Sequence, residues 1–341
     1  MFKCALLGCG PRARGHAKAY QFVNRGRIVA LCDMNEERLH PFGDEFGVKG
    51  RYTDLDEMLD TERPDVLHIV TLPSLRVGLM TTAAEHGVPG VIVEKPIALQ
   101  GEDWRALRDL EGRSSTKYCV NTQLHFHAQN LDLKQTVAEG RIGEVRFIDA
   151  SARSTPLDQG VHVLELAHSY TGFEPLASVF GQVADGQELD SAQPSPAMAT
   201  GVLGFASGVR ATLTCGACAP LATDRVEVRY AHKRVAAYGA DGFVQWTMSG
   251  WERRTLDGGY ERGPHDYGVE DDRAQARLTE AMFDWLEDDG KVHPNNLATS
   301  LDEWLVILAG YLSTVEKRPV DLPFDPPDDL LQQFKRFVGA G

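Results

Sequence analysis

The sequence predicts an α/β domain with a parallel, doubly wound sheet, followed by an α+β domain with a large, mainly antiparallel open sheet. Short apolar runs alternate with amphipathic stretches over the first 120 residues, and strand-like runs with little room for helices between them dominate after that. A length of 341 residues suffices for two domains. We therefore predict a first domain over residues 1–120 and a second over residues 121–341, with the carboxyl-terminal segment inside the second domain or packed back on the first.

The elements of the first domain are recognised by length and periodicity. Runs of four to eight residues rich in Val, Ile, Leu and Cys predict buried strands, and apolar residues recur at helical spacing between them. Strands separated by helices indicate right-handed crossovers and hence a parallel sheet. The predicted strands are residues 2–7, 27–32, 65–71, 90–94 and 117–123. The predicted helices are residues 14–23, 36–46, 75–86 and 102–111.

The second domain is predicted to be a meander of strands, because Gly, Asp and Pro separate most of its apolar runs without room for a helix. The predicted strands are residues 145–152, 177–184, 198–205, 209–215, 225–230, 233–238 and 243–248. The predicted helices are residues 161–170, 273–287 and 297–315, and residues 319–329 are expected to be extended.

Composition excludes several classes of function. The formal net charge of −14 argues against nucleic-acid binding, which depends on Lys and Arg releasing counterions from phosphates. No apolar run approaches the roughly 20 residues of a membrane span, and the run before Gly8 and Cys9 is too short for a signal peptide. The pair Cys215 and Cys218 lacks a second pair of ligands at matched spacing, so we expect no metal. We predict a soluble, unprocessed protein of the cytoplasm.

The first predicted strand runs into a glycine-rich loop that opens a helix. Gly8 would make the tight turn, Gly10 would let the backbone approach a pyrophosphate, and Ala13 would take the third glycine position. The helix amino terminus then offers N–H groups to the phosphates. The loop predicts a Rossmann-type cofactor site that includes Pro11 and Arg12. The alternative is a glycine turn without a ligand.

Asp33 follows the second strand, about 20 residues after the loop. An acidic side chain there accepts hydrogen bonds from an adenine-ribose diol and repels a 2′-phosphate, which favours NAD over NADP. Arg38 lies close in sequence and keeps NADP as an alternative cofactor. In the other interpretation, Asp33 only caps the next helix.

The fourth strand ends in Glu94-Lys95-Pro96, at the edge of the sheet where ligands bind in such folds. This motif, the glycine loop, Asp33 and Thr71-Leu72-Pro73 together resemble the Gfo/Idh/MocA family of sugar and cyclitol dehydrogenases. The resemblance continues through residues 120–127, 158–162 and 318–323, and therefore extends over essentially the whole chain.

The resemblance implies roles for individual residues. Lys95 would hydrogen-bond the reacting hydroxyl beside the nicotinamide, next to a proline that is often cis. A Lys at a sheet edge can also polarise an alkoxide on physical grounds, and the alternative is a Lys paired with Glu94 for structure only. Substrate contacts would come from Gln123 and His125, besides the catalytic residues. Further cofactor contacts would come from Thr71, Leu72, Pro73, Glu94 and Lys95 itself.

Asp158 and His162 are four residues apart and fall on one face if the first helical turn includes both. A histidine held by a carboxylate is a common general base near neutral pH. In the family pattern, His162 takes the proton of the substrate hydroxyl, and Asp158 assists it or binds substrate. Glu165 occupies the position of an acidic residue that usually follows the histidine by three. The alternative is a helix-capping Asp and an exposed His.

Two positions depart from the family pattern and leave the substrate open. Family members often carry Arg at the position of His125 and His at that of Arg76. If the fifth strand persists, His125 and His127 point to one side of it, although His127 could equally be an ordinary half-buried residue. The acidic residues 270–272 and 284–289 are expected on the solvated surface.

These observations predict an NAD(P)-dependent oxidoreductase that transfers a hydride between nicotinamide and a secondary alcohol of a sugar, sugar derivative or cyclitol. One alternative is a glycosidase with tightly bound NAD and no net redox change, whose relatives share Arg12 and Gly15-His16. The other is a dinucleotide-sensing regulator, against which Lys95, Asp158 and His162 argue. An open sheet predicts a homodimer or homotetramer. The sugar, the carbon oxidised and the direction stay open.

Overall fold

The computed structural model describes residues 1–339, which divide into two compact units. Residues 1–98, 103–123 and 271–300 form the first unit, and the other described residues form the second. Residues 271–300 thus belong to the first unit although they follow the strands of the second in sequence. The domain boundaries suggested by the sequence stay a prediction.

The first unit contains a six-stranded sheet. Its strands lie in the order β3-β2-β1-β4-β5-β6, and every neighbouring pair is parallel. This order reverses between β1 and β4, and ligands bind beyond the carboxyl ends of the strands at such a point. The predicted doubly wound class is confirmed. The strands are β1 (Phe2–Leu7), β2 (Gly26–Cys32), β3 (Gly50–Tyr52), β4 (Val66–Ile69), β5 (Gly90–Glu94) and β6 (Lys117–Asn121).

Five helices alternate with these strands along the chain: α1 (Pro11–Ala19), α2 (Glu36–Phe46), α3 (Leu55–Glu62), α4 (Arg76–Glu85) and α5 (Gly101–Arg113). Helix α2 has the predicted bounds because both of its ends are specified locally. The Asn35 side chain accepts a hydrogen bond from the backbone N–H of Arg38, and Gly47 ends the helix at φ +69°. Helix α1 begins at Pro11, earlier than the predicted residue 14, since proline at the first position loses no hydrogen bond.

The second unit contains a nine-stranded sheet in the order β14-β13-β12-β11-β7-β10-β9-β8-β15. It is mainly antiparallel, as predicted, although β7 and β10 pair in parallel. Its strands are β7 (Val145–Ala152), β8 (Leu176–Ala184), β9 (Met198–Phe205), β10 (Arg210–Cys215), β11 (Lys233–Gly239), β12 (Phe243–Thr247), β13 (Gly250–Thr255), β14 (Gly259–Pro264) and β15 (Val320–Asp321). The remaining helices of the chain are α6 (Ala128–Ala138), α7 (Val161–Ser169), α8 (Tyr267–Glu287), α9 (Leu297–Glu316) and α10 (Leu330–Gly339).

The structure corrects two expectations about strands. The predicted strand over residues 225–230 is wrong, because that segment ends in the short 3-10 turn Arg229–Ala231. The fifth predicted strand, β6, ends at Asn121, and Gln123–Phe126 forms another 3-10 turn. His125 and His127 therefore do not alternate along a strand.

Helix α7 packs against β7 and β11 and is buried along almost its whole length. It carries His162, Glu165 and His168 among apolar residues, so three titratable side chains lie in the interior of the second unit. Within residues 1–339, no helix combines the length and apolar character that crossing a membrane requires.

Candidate active site

The glycine loop has the geometry that its sequence predicts. Gly8 adopts φ +95°, and a Cβ there would lie 2.4 Å from the carbonyl oxygen of Val70, so only glycine fits. Gly10 precedes the first turn of α1, and a Cβ built on it would meet no atom within 4 Å. The backbone at Gly10 therefore faces open space next to a helix amino terminus, which fits a phosphate-bearing cofactor.

Asp33 connects the end of β2 to the glycine loop. Its Oδ2 accepts a hydrogen bond from the backbone N–H of Cys9 at 2.8 Å. Its Oδ1 accepts one from the backbone N–H of Asn35 and one from Nη2 of Arg38, both at 2.9 Å. Burial raises the pKa of Asp33, but these hydrogen bonds outweigh it and lower the pKa below its ordinary value. The carboxylate is therefore charged at neutral pH.

Arg12 and Glu94, both predicted cofactor contacts, bind each other. Arg12 Nε donates to Glu94 Oε1 at 2.6 Å, and the same oxygen accepts from Asn121 Nδ2 at 2.7 Å. His16 Nε2 lies 3.0 Å from it. Burial raises the pKa of Glu94, but the nearby Arg12, His16 and Lys95 lower it by more. The pKa of Glu94 therefore lies well below its ordinary value. A buried carboxylate thus ties the glycine loop to the end of β5.

The Glu94 cluster continues into histidines that sequence reasoning missed. His16 Nδ1 lies 3.0 Å from His68 Nδ1, and His68 Nε2 lies 2.8 Å from the hydroxyl of Tyr20. Burial lowers the pKa of both histidines, so we expect neutral rings. The available signal was His68 itself, an imidazole in the middle of the apolar strand β4.

Thr71, Leu72 and Pro73 follow β4 and begin the turn Pro73–Leu75. Thr71 Oγ1 is buried without a hydrogen-bond partner among the residues that the structure describes. Leu72 is 59% exposed. An orphaned hydroxyl beside an exposed apolar side chain fits a ligand that offers both a polar group and a flat apolar ring, as a nicotinamide dinucleotide does.

Arg76 supports the backbone next to Lys95. It is 1% exposed, and its Nη2 donates to the carbonyl oxygens of Lys95 at 3.0 Å and Thr71 at 3.4 Å. Burial lowers the pKa of Arg76 to about 10, so it stays a cation at neutral pH. The guanidinium therefore joins the ends of β4 and β5. Lys95 itself is half-buried and precedes a cis peptide bond to Pro96.

Gln123 lies with the first unit, where its Nε2 donates to Asp271 Oδ1 at 3.0 Å. Arg12 Nη1 lies 3.9 Å from Asp271 Oδ2. The expectation of solvated surface is therefore wrong for Asp271, because its side chain faces two predicted site residues. The first unit thus brings Arg12, Glu94 and Gln123 together around shared partners.

In the second unit, Asp158 and His162 lie in one continuous helical segment. Pro156–Gly160 forms a single π-helical turn that leads directly into α7, so the first turn is wider than that of an α-helix. Asp158 Oδ2 accepts from Ser154 Oγ at 2.7 Å, and its Oδ1 accepts from Gln159 Nε2 at 3.0 Å. His162 is buried, which corrects the alternative of an exposed histidine.

His125 contacts Glu165 instead of extending a strand. Its Nδ1 lies 2.6 Å from Glu165 Oε1, and Lys134 Nζ contacts its Nε2. Glu165 is fully buried. This pair could not be predicted from the sequence, because His125 and Glu165 are 40 positions apart and meet only in the folded structure. Over the described part of the chain, no three His, Cys, Asp or Glu side chains are grouped so that they could hold a metal ion.

Comparison with known protein families supports the fold of the first unit. Residues 2–122 match the model of the Gfo/Idh/MocA family, an oxidoreductase family with an NAD-binding Rossmann fold. The resemblance found in the sequence is confirmed for these residues, and with it the NAD-binding type of the fold.

Curated relatives match parts of the chain. D-apiose dehydrogenase from Paraburkholderia graminis is 30% identical over 231 residues, which are 63% of this chain and 60% of the relative. Inositol 2-dehydrogenase from Rhizobium meliloti is 26% identical over 186 residues, which are 50% of this chain and 56% of the relative. The chain thus spans little more than half the length of these relatives.

A solved structure has a similar fold over 94% of the chain. An oxidoreductase from Agrobacterium radiobacter, in complex with NAD+, L-tartaric acid and magnesium, is similar with a TM-score of 0.80. The match covers 94% of this chain and 98% of that chain at 22% identity. At this identity, the likeness concerns the architecture and not the substrate.

Proposed function

We propose that the protein is an NAD-dependent oxidoreductase that transfers a hydride between nicotinamide and a secondary alcohol of a sugar, sugar derivative or cyclitol. The observation that carries the proposal is the bond between Arg12 of the glycine loop and Glu94. It ties the loop expected to hold the pyrophosphate to the strand end that presents Lys95. A cofactor loop and a cationic side chain at one sheet edge are what hydride transfer to an alcohol carbon requires.

The cofactor would be held mainly by backbone and by Asp33. Gly8 and Gly10 leave room for the pyrophosphate, and Pro11 begins the helix whose N–H groups bind it. Asp33 is charged and accepts hydrogen bonds, so it suits the adenine-ribose diol of NAD. Thr71 offers a hydroxyl that has no partner within residues 1–339. NAD, when bound, supplies the hydride acceptor.

The chemical step depends on three side chains of this protein. Lys95 donates a hydrogen bond to the reacting hydroxyl and stabilises the alkoxide that develops on it. His162 takes the hydroxyl proton as general base. Asp158 orients the hydroxyl or the imidazole through its carboxylate. Gln123 and His125 are proposed to define the substrate side of the site.

The substrate class follows from charge and from the relatives. A neutral polyol is not repelled by a protein of net charge −14. The relatives named above are dehydrogenases of D-apiose and of inositol, and we carry to this chain only the class that they share, a polyhydroxylated small molecule. We also propose a cytoplasmic location, because five of the six cysteines are buried as thiols, which suits a reducing compartment.

The test is a screen of sugars and cyclitols for reduction of NAD and NADP, with wild type, Lys95→Met and His162→Asn. We expect turnover to fall by about 10² to 10⁴ in both variants, because each loses a group that acts on the reacting oxygen. NADH binding, followed by its fluorescence, should stay close to that of wild type.

Lys49→Met and His40→Asn provide matched controls, since both side chains are exposed on the first unit. Wild-type turnover in Lys95→Met or His162→Asn would contradict the assigned roles. A wild type that binds NADH but oxidises no member of the screen would contradict the proposed activity. Cleavage of a glycosidic bond without net NADH would instead identify a glycosidase.

A further inference from the structure

Helix α7 carries a stripe of titratable side chains through the interior of the second unit. His162, Glu165 and His168 follow one another at intervals of three residues. Each side chain therefore lies next to the following one on the surface of the helix. All three are buried, with 5%, 0% and 4% of their surface exposed. Buried ionisable groups are costly unless they are paired or used, so the stripe calls for partners.

Glu165 has such a partner in His125, and His125 has a second partner in Lys134. Glu165 Oε1 lies 2.6 Å from His125 Nδ1, and the opposite ring nitrogen, Nε2, contacts Lys134 Nζ. An imidazole that contacts a carboxylate at one nitrogen and an amine at the other can accept a proton at one side and release one at the other. The three groups thus form an uninterrupted chain of exchangeable protons.

The outer end of this chain lies in a cavity of about 830 Å³ that we name the α6 cavity. Lys134, on α6, is half-buried and lines it. Burial lowers the pKa of Lys134, although the charge of Glu165 raises it in part, so the ammonium gives up a proton more readily than an exposed lysine does. The lining also includes Gln135, Arg146, Tyr170, Phe173 and Ser207.

We infer that Glu165, His125 and Lys134 form a proton path between His162 and the water of the α6 cavity, an inference that rests on the proposed oxidoreductase function. His162 would act on the reacting hydroxyl, whereas Glu165, His125 and Lys134 act through it in this path, and His125 also borders the substrate in the proposed site. They are positioning and transfer residues, and no role on the reacting atoms is assigned to them.

The steps balance in the direction of alcohol oxidation. The hydride leaves the substrate carbon for nicotinamide, and the hydroxyl proton moves to His162. That proton passes to Glu165, which lies within one helical turn, directly or through one water. Glu165 gives a proton to Nδ1 of His125, and Nε2 gives its own to the amine of Lys134. Lys134 releases a proton to water in the α6 cavity, and the imidazole resets by exchanging its tautomer. Carbonyl reduction uses the same path inward.

Other charged groups face Glu165 and bear on its proton affinity. The charge of Glu165 acts on His168 and on Glu303, which bind each other at 2.9 Å. His125 and Lys134 face it from the other side. The path therefore lies beside a second buried pair, His168 and Glu303, which all variants of the path leave in place.

The decisive variant is Lys134→Ala, which shortens the path at its open end. We expect turnover in dilute buffer to fall about tenfold, and added ethylamine to restore it, because a small amine enters the α6 cavity and takes the place of the lost amine of Lys134. Arg146→Ala is the matched control: Arg146 is the other cation of the cavity lining named above, and it pairs with Glu144. It should change neither the rate nor its dependence on amine.

Two variants inside the path distinguish proton transfer from a purely structural role of these side chains. Glu165→Gln keeps the shape of the side chain but cannot carry a proton. His125→Arg keeps a cation against Glu165, yet arginine does not release its proton. Both should be slow and should not respond to ethylamine, because their block lies inside the path. The path is overturned if Lys134→Ala turns over like Arg146→Ala, or if ethylamine fails to restore it.

Failure of the proposed function gives a different pattern, since wild type then oxidises no member of the screen. The path is tested in that event on the cofactor-free full chain by nitrogen NMR of the histidine rings. The ring-nitrogen signals of His125 should differ from those of wild type in Glu165→Gln and Lys134→Ala, because both side chains contact the ring, but not in Arg146→Ala. Ring-nitrogen signals of His125 that are the same in all four proteins also overturn the path.

Discussion

We propose that the choice between NAD and NADP depends on Asp33. Its two carboxylate oxygens hold Cys9 of the glycine loop and Arg38 of α2, so it shapes the site and neutralises a nearby cation. Removal of the Asp33 carboxylate leaves the Arg38 guanidinium in place. An arginine close to the adenine ribose accommodates the 2′-phosphate of NADP.

We predict that Asp33→Ala weakens NADH binding and strengthens NADPH binding, so that the ratio of the two Kd values shifts toward NADPH by at least about tenfold. Fluorescence titration of both cofactors measures the ratio. Asp44→Ala is the matched control, since Asp44 also pairs with an arginine, Arg51, but is exposed. Equal losses of affinity for both cofactors in Asp33→Ala would contradict the prediction.

At the same scale, the sequence indicates candidate site residues but not their partners. Asp33 and Glu94 are predictable because each follows a buried strand whose carboxyl end faces the ligand side of a parallel sheet. The bond from Arg12 to Glu94 spans 82 residues of sequence and depends on strand order, which local patterns do not encode. The same holds for His68, whose contact with His16 requires β1 and β4 to be neighbours.

Helices α7 and α9 are joined by a buried ionisable pair that makes stability depend on pH. Burial raises the pKa of Glu303 to about 7, although its hydrogen bond with His168 lowers it in part. Burial lowers the pKa of His168, but the same bond raises it more, so both groups bind protons more tightly in the folded protein than in the unfolded chain. Their stabilising effect is present at low pH and is lost as the pH rises through about 7.

We predict that the free energy of unfolding falls between about pH 5 and about pH 8, and that Glu303→Gln flattens this dependence because a glutamine does not titrate. Urea unfolding at several pH values measures it. Glu316→Gln is the control, since Glu316 lies on the same helix and pairs with Arg318 at the surface. A slope that survives in Glu303→Gln would assign the pH dependence to other groups.

The elements differ in how far the sequence specifies them. Strand β1 and helix α2 have the predicted bounds because their periodicity and caps are local. Strands β13 and β14 lie at the edge of the sheet, and few of their residues are buried, so no alternation reveals them. Residues 225–230 alternate like a strand but have no partner strand within residues 1–339, which is why the prediction there is wrong. Strand pairing is a tertiary property.

At the scale of the whole molecule, we propose that a second copy of the chain covers the open face of the nine-stranded sheet. Phe147, Tyr238 and Phe243 form an aromatic row across β7, β11 and β12, with ring centroids 6.3 and 6.0 Å apart. Farther along the same sheet, Phe180 on β8 and Val202 on β9 face each other in register and are 52% and 45% exposed. An apolar face of this kind favours self-association, and a two-fold axis pairs the same face on both copies.

We predict that wild type has the mass of a dimer or tetramer in light scattering, and that Phe147→Glu combined with Phe180→Glu gives the mass of one chain. The reason is that two carboxylates on the face meet two more across a symmetric interface, where burial of unpaired charge is costly. Leu256→Glu is the matched control, because Leu256 is 77% exposed but lies in the turn between β13 and β14. Circular dichroism checks that the double variant is folded. A monomeric wild type, or a folded double variant that keeps the wild-type mass, would show that this face does not form the interface.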